Sequence, residues 1–270
     1  MNFLKKSIWI IGLVLIIIFF GGYALRKVSG YFFQKGNYYF NGGEYNLEKA
    51  EKYYNAALLA YPKMSYAHYQ KARIYLVTNK TEEAKKEIDK ELAVHPENKR
   101  SFYVRGLING YLKDYPEAEN DFKQFIRYAP NEWAGYMDLS WIYIADDKFQ
   151  EAADVSQKGL QKFPENPWLL SNNGLALYKL GKYEEAKRSL LKGKDLAQKV
   201  TPEDWKKTYP GNNPLGAESG IKDLKAAISY NLALTCKKLG DAKGLLEEYG
   251  YYTSLFSPND PRKEKIYEIF

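Results

Sequence analysis

Cysteine is nearly absent. Cys236 stands alone in 270 residues, which excludes an internal disulfide, a four-cysteine zinc site and a lipid anchor on an N-terminal cysteine. The two histidines, His68 and His95, lie far apart and show no metal-ligand spacing. No Walker motif, GxSxG or HExxH occurs, so the sequence predicts no enzyme, no cofactor, no metal and no small-molecule substrate. A block of one charge is missing too. The net charge of +7 contains four basic residues in the first 30, Lys5, Lys6, Arg26 and Lys27; the remaining 36 basic and 33 acidic residues are mixed along the chain. Nucleic-acid binding would call for a basic stripe, so no nucleic-acid partner is expected.

One stretch lacks charge altogether. The 19 residues from Ser7 to Leu25 read SIWIIGLVLIIIFFGGYAL. As a helix they nearly match the roughly 30 Å hydrocarbon core of a bilayer. The apolar residues between Ile11 and Phe20 favour insertion by about 3–5 kcal/mol. Apolar character runs all the way round, unlike a surface-lying amphipathic helix. The alternative is a cleaved signal peptide, with a small-residue site at Gly22-Tyr23-Ala24. The length of the run and the basic pair directly after it favour an uncleaved, single-pass anchor. The short flank with Lys5 and Lys6 favours a cytoplasmic N-terminus and an extracytoplasmic soluble domain.

What the chain has is aromatic mass and repetition. Tyrosine numbers 25, and aromatics make up 16% of the residues, too apolar for disorder. Pro62, Pro96, Pro130 and Pro164 follow each other at 34 residues, as do Ala50, Ala84, Ala118, Ala152 and Ala186. A fixed period in the 20–50 range means stacked supersecondary units. Each proline ends a helix, because it lacks an amide donor and clashes with the preceding turn. Each alanine opens a second helix and lets its partner approach closely. A further small residue, Gly36, Ala72, Gly106, Ser140 or Gly174, recurs in the first helix and is expected to face that alanine. Such a helix–turn–helix cannot bury its apolar faces alone, so neighbours must stack.

With its 34-residue period, small residue at repeat position 8, alanine at 20 and proline at 32, the chain resembles the tetratricopeptide repeat (TPR) family. LSNNGLALYKLGKYEEAKRSLLKG, from Leu170 to Gly193, carries the pattern most fully. The resemblance implies an all-α, right-handed α-solenoid. The expected plan is a short flank at 1–6, a transmembrane helix at 7–25, five TPR units over 31–200, an insertion at 201–225, and a sixth, degenerate pair with a C-terminal cap at 226–270. In the first unit the turn FNGGEYN is two residues longer than usual and is expected to absorb the extra length without disturbing either helix. The insertion starts with Thr201-Pro202-Glu203-Asp204, a good helix start, and continues in a loop that is either a spacer or functional. The C-terminal IYEIF either covers the last repeat or stays loose for a partner. Asp146 and Asp147 read as solvated turn charges, Cys236 as a buried small apolar residue, and His95 as part of a repeat junction. Asn79-Lys80-Thr81 matches both a glycosylation acceptor and a polar turn.

The family's first helices line a concave groove with positions 2, 5, 9 and 12. That places Tyr69, Tyr103 and Met137 (position 5) and Arg73, Leu107, Trp141 and Leu175 (position 9) as candidate partner-binding residues. Position 9 is often asparagine in the family but is apolar in four units here. That stripe serves either packing between adjacent units or an apolar floor for a partner peptide. The clamp of lysine, asparagine and arginine with which some TPR domains read chaperone C-termini finds only Asn37 to match. The reading is a membrane-anchored scaffold or adaptor for a protein or peptide partner, serving assembly of an envelope complex. The alternative is a chaperone-like or quality-control factor for newly translocated chains.

Overall fold

The structure, a computed structural model, describes residues 2–208 and 216–269, with side chains described from residue 20 onward apart from residues 42 and 206–208. Among these residues every regular element is helical. Contacts divide the chain into two compact units, Met1–Ile108 and Asn109–Phe270.

In the first unit, α1 (Asn2–Asn37) pairs with α2 (Leu47–Ala60), and α3 (Ala67–Val77) with α4 (Thr81–Val94). The helix α5 (Lys99–Tyr111) begins here and crosses the boundary. No break separates the apolar N-terminal run from the first repeat, because α1 is one continuous helix. Residues 7–19 of the expected span lie outside the residues whose side chains are described. Among the described residues no helix is long and apolar enough to cross a membrane. The last part of α1 docks on α2, where the Ser29 hydroxyl donates to the Ala57 carbonyl at 2.8 Å. The extra residues of the first turn do alter the helix, contrary to expectation. Tyr38–Gly42 forms a wide π-helical turn, and Phe40 joins the buried cluster of Ala50, Tyr54 and Ile74.

The second unit holds α6 (Tyr115–Tyr128), α7 (Trp133–Ala145), α8 (Phe149–Lys162), α9 (Pro167–Lys179), α10 (Tyr183–Ala197), the short α11 (Pro202–Thr208), α12 (Ala217–Leu239), α13 (Ala242–Ser254) and a last turn, α14 (Glu264–Tyr267). Asp114, Asn166 and Asp241 cap α6, α9 and α13 by accepting from the amides of Glu117, Leu169 and Gly244, which satisfies donors that a helix start leaves open. The long α12 fuses residues 217–225 of the expected insertion to the first helix of the sixth pair. Buried Glu248 on α13 binds Lys194 of α10 at 2.6 Å and Ser229 of α12 at 2.9 Å, which pins that pair to the fifth.

Two regularities explain the hairpins. Asn79, Lys113, Asp147 and Gly181 all have positive φ, again 34 residues apart. Each ends a first helix with the left-handed residue of a Schellman turn, and the next amide reaches back to Tyr75, Asn109, Tyr143 or Leu177 at 2.8–3.0 Å. Two of the small residues at position 8, Gly36 and Gly174, face a site one turn beyond the expected one. A Cβ on Gly36 would lie 2.5 Å from the Tyr54 ring, and one on Gly174 2.4 Å from Leu190. The close approach is thus to position 24, while Ala50 and Ala186 are buried beside it.

Candidate functional site

The predicted groove residues divide between the two units, and each group stands by itself. In the first unit Tyr69 and Tyr103 are buried, Arg73 is nearly so, and Leu107 is half-buried. The Arg73 guanidinium lies 4.6 Å from the Phe40 ring centre and 5.6 Å from that of Tyr69. It donates to Gln70 at 2.6 Å and to Asn41 at 3.5 Å. Burial pulls its pKa below the ordinary value, and the tyrosines Tyr69 and Tyr54 oppose that pull. Asn37 accepts from both Tyr54 and Gln70. Arg73 therefore braces the first two hairpins from inside, and Tyr69, Arg73 and Tyr103 offer little surface to a partner.

In the second unit Trp141 is 39% exposed, Met137 is buried beside it on α7, and Leu175 is half-buried on α9. Gly110 seats the indole. A Cβ there would come within 3.1 Å of the Trp141 ring and 2.8 Å of Ile142. Tyr111, itself exposed, lies 6.4 Å from the Trp141 ring at 51°. This glycine–tyrosine seat escaped the sequence reading, although Tyr111 directly follows repeat position 12.

Leu175 opens on a larger feature. A cavity of about 740 Å³ lies between α9, α12, α13 and the C-terminal segment. Its apolar part comes from Leu175, Ala226, Ala227, Leu234 and Phe256; Tyr178, Tyr230 and Tyr252 add ring faces and hydroxyls. Burial raises the pKa of Tyr230 and Tyr252, so both hydroxyls keep their protons. Lys179, Arg262, Lys265 and Asp223 supply the charges. One wall is the C-terminal segment itself. Ile266 and Ile269 are buried against Ala226, Ala233, Tyr252 and Phe256, the Tyr252 hydroxyl donates to the Arg262 carbonyl at 2.9 Å, and the Lys237 ammonium donates to the carbonyl of Ile269. IYEIF, as far as Ile269, covers the last repeat.

The remaining singled-out residues are structural. Cys236 is buried, and burial pushes its thiol up to about 11. His68 binds Glu87 at 2.7 Å, and His95 contacts the Lys63 carbonyl at 3.3 Å across a junction. The insertion helix α11 is docked: Trp205 lies 5.6 Å from Trp168, which stacks on Trp133 at 5.2 Å. Residues 209–215 of the insertion loop lie outside the described residues. Among the described residues no three His, Cys, Asp or Glu side chains come together to hold a metal ion.

Successive hairpins with a 34-residue period, left-handed turns in register and small-residue contacts define a stacked helical repeat protein. Family models described as tetratricopeptide repeat match residues 33–86 and 103–167, and residues 143–206. Together they cover more than half of the chain, which belongs to the tetratricopeptide repeat family. Its function class is accordingly protein–protein interaction. No curated protein matches the chain in sequence. Among solved structures it is similar to PilW, a widely conserved type IV pilus biogenesis factor, with a TM-score of 0.69 and 16% identity over 89% of this chain and 98% of that one. It is also similar to pilF of Pseudomonas aeruginosa, with a TM-score of 0.67 and 18% identity over 91% and 99%. YrrB, a TPR protein with an unusual peptide-binding site, follows with 0.54 and 21% over 62% and 86%. At such identities the likeness is one of fold.

Proposed function

We propose that the chain is a membrane-anchored scaffold or adaptor that uses its first-helix faces to hold a partner protein during assembly of an envelope complex. Residues 7–25 form the single-pass anchor in this reading, and the repeats lie on the extracytoplasmic side. The observation that carries the partner site is Trp141, an exposed tryptophan seated on Gly110 beside Tyr111. Large aromatics held rigid in this way dominate binding energy at interfaces. Leu107 in the first unit and Leu175 in the second extend the apolar surface within their own units. The unbroken α1 supports the anchor, since it joins the apolar run to the first hairpin without a linker. The fold-level likeness to PilW and pilF supports an envelope assembly of the pilus type.

The test is crosslinking in membranes, followed by identification of what is captured, with the wild-type chain and Trp141→Ala. The variant is expected to lose about 2 kcal/mol of partner affinity with its helical circular dichroism intact. Unchanged capture by a folded variant would move the site elsewhere. Capture of many unrelated chains at low yield would favour the chaperone-like reading. Carbonate washing should leave the full-length chain in the membrane pellet; release as a fragment starting near Leu25 would refute the anchor.

A further inference from the structure

We propose that the cavity between α9, α12, α13 and the C-terminal segment binds an acidic peptide segment that also carries aliphatic side chains. The proposal rests on the groove-binding reading and names the partner chemistry at one end of it. The cavity's volume of about 740 Å³ lies within the range of ligand sites, large enough for a few side chains of a peptide segment.

The charges decide the sign of the ligand. Arg262 is already neutralised, by Asp260 at 2.6 Å and Asp223 at 3.2 Å. That cluster ties the C-terminal segment to α12 with two carboxylates against one guanidinium; Asp223, its side chain 58% exposed, is the one acid among the lining residues, against the three cations Arg262, Lys179 and Lys265. Lys179 and Lys265 differ. Lys179 stands 5.6 Å from the Phe149 ring centre and Lys265 4.9 Å from that of Tyr230. Among the described residues neither lysine has a carboxylate within ion-pair distance. Both are exposed at the cavity's edge. Glu268 lies close enough to act on Tyr230, yet it makes no ion pair with Lys265. The lining thus presents two unneutralised ammonium groups above the apolar surface of Leu175, Leu234 and Phe256. A lysine against a ring is oriented without being neutralised, because the π face carries no net charge and leaves N–H donors on the far side for an incoming carboxylate. A ligand of alternating carboxylate and aliphatic side chains satisfies both halves of the lining; a basic one meets two like charges.

The experiment uses the full-length chain in detergent and two fluorescein-labelled decapeptides, one alternating glutamate with leucine and one alternating lysine with leucine, read by fluorescence anisotropy. The glutamate peptide is expected to bind, and binding should weaken as salt is raised. The double variant Lys179→Glu/Lys265→Glu should bind it at least about tenfold more weakly, since two exposed attractions become repulsions. Truncation after Ser257 removes the wall that carries Lys265 and should weaken binding as well. Equal binding of both peptides, or undiminished affinity in a double variant with native circular dichroism, would overturn the inference. If neither peptide binds while partner capture still depends on Trp141, this inference alone falls. If capture also ignores Trp141, the groove reading falls with it.

Discussion

Replacing Glu87 with glutamine should measurably loosen the second hairpin. Glu87 lies on α4 with its side chain only 8% exposed, bonded to Nδ1 of His68 at 2.7 Å, to Lys71 at 3.2 Å and to Lys90 at 2.8 Å. Burial by itself would raise its pKa. The hydrogen bonds from His68 and Lys90 and the charge of Lys71 outweigh that and hold the carboxyl at about 2, against an ordinary 4.5. A depressed acid contributes stability that is complete above the ordinary value and is lost as pH falls toward the folded one. The window is therefore between about 4.5 and about 2. At 1.36 kcal/mol per pKa unit the shift corresponds to about 3 kcal/mol. An independent route gives the same size: breaking a buried pair costs about 3–5 kcal/mol, because the surviving charge, here Lys71, is left uncompensated. Glutamine keeps part of the hydrogen bonding, so a loss of about 2–3 kcal/mol is expected at neutral pH. Repeat arrays need not unfold in one step. Amide exchange across α3 and α4 should therefore accompany urea titration followed by circular dichroism. A loss below about 1 kcal/mol, or a wild-type advantage that does not shrink on acidification through the window, would refute the ion-network account.

Three further perturbations follow from the packing. Lys113 holds a left-handed φ of 61° in its turn, a conformation that costs an L-residue about 1–2 kcal/mol; Lys113→Gly should raise urea resistance by about 0.5–1 kcal/mol after glycine's own entropy cost. Ala118 is fully buried on α6, and Ala118→Leu should overpack its hairpin and cost roughly 1–3 kcal/mol, visible as earlier melting; an unchanged midpoint would mean the site has room. The Cys236 thiol, buried and pushed up to about 11, should resist maleimide near neutral pH and label only when denaturant is added; rapid labelling of the folded chain would contradict its burial.

Much of the fold was legible because it is periodic. The alanines, prolines and small residues mark every hairpin over 31–200, and the same spacing governs the left-handed turn residues Asn79, Lys113, Asp147 and Gly181. That last series was hidden: only Gly181 is a glycine, while asparagine, lysine and aspartate take the same backbone shape under the pull of the flanking helices. The contacts of Gly36 and Gly174 were misjudged by one turn, since helix pairing fixes which residues meet and the linear spacing does not. The candidate site was less legible. Position 9 named Trp141 and Arg73 alike, yet one stands half in solvent on Gly110 and the other lies between Phe40 and Tyr69.

Local chemistry and repetition by themselves determined that this chain is helical, where each helix turns, and that its units stack, because those properties depend on neighbours three to 34 residues away. Which groove residues meet a partner depended on burial, and burial is set by side chains from other helices. The cavity beside Leu175 is the clearest case. Its walls come from α9, from a helix that fuses the insertion to the sixth pair, and from a C-terminal segment held by Asp223, Asp260 and Lys237. No sequence period links those segments; only tertiary packing brings Lys179 and Lys265 to one opening.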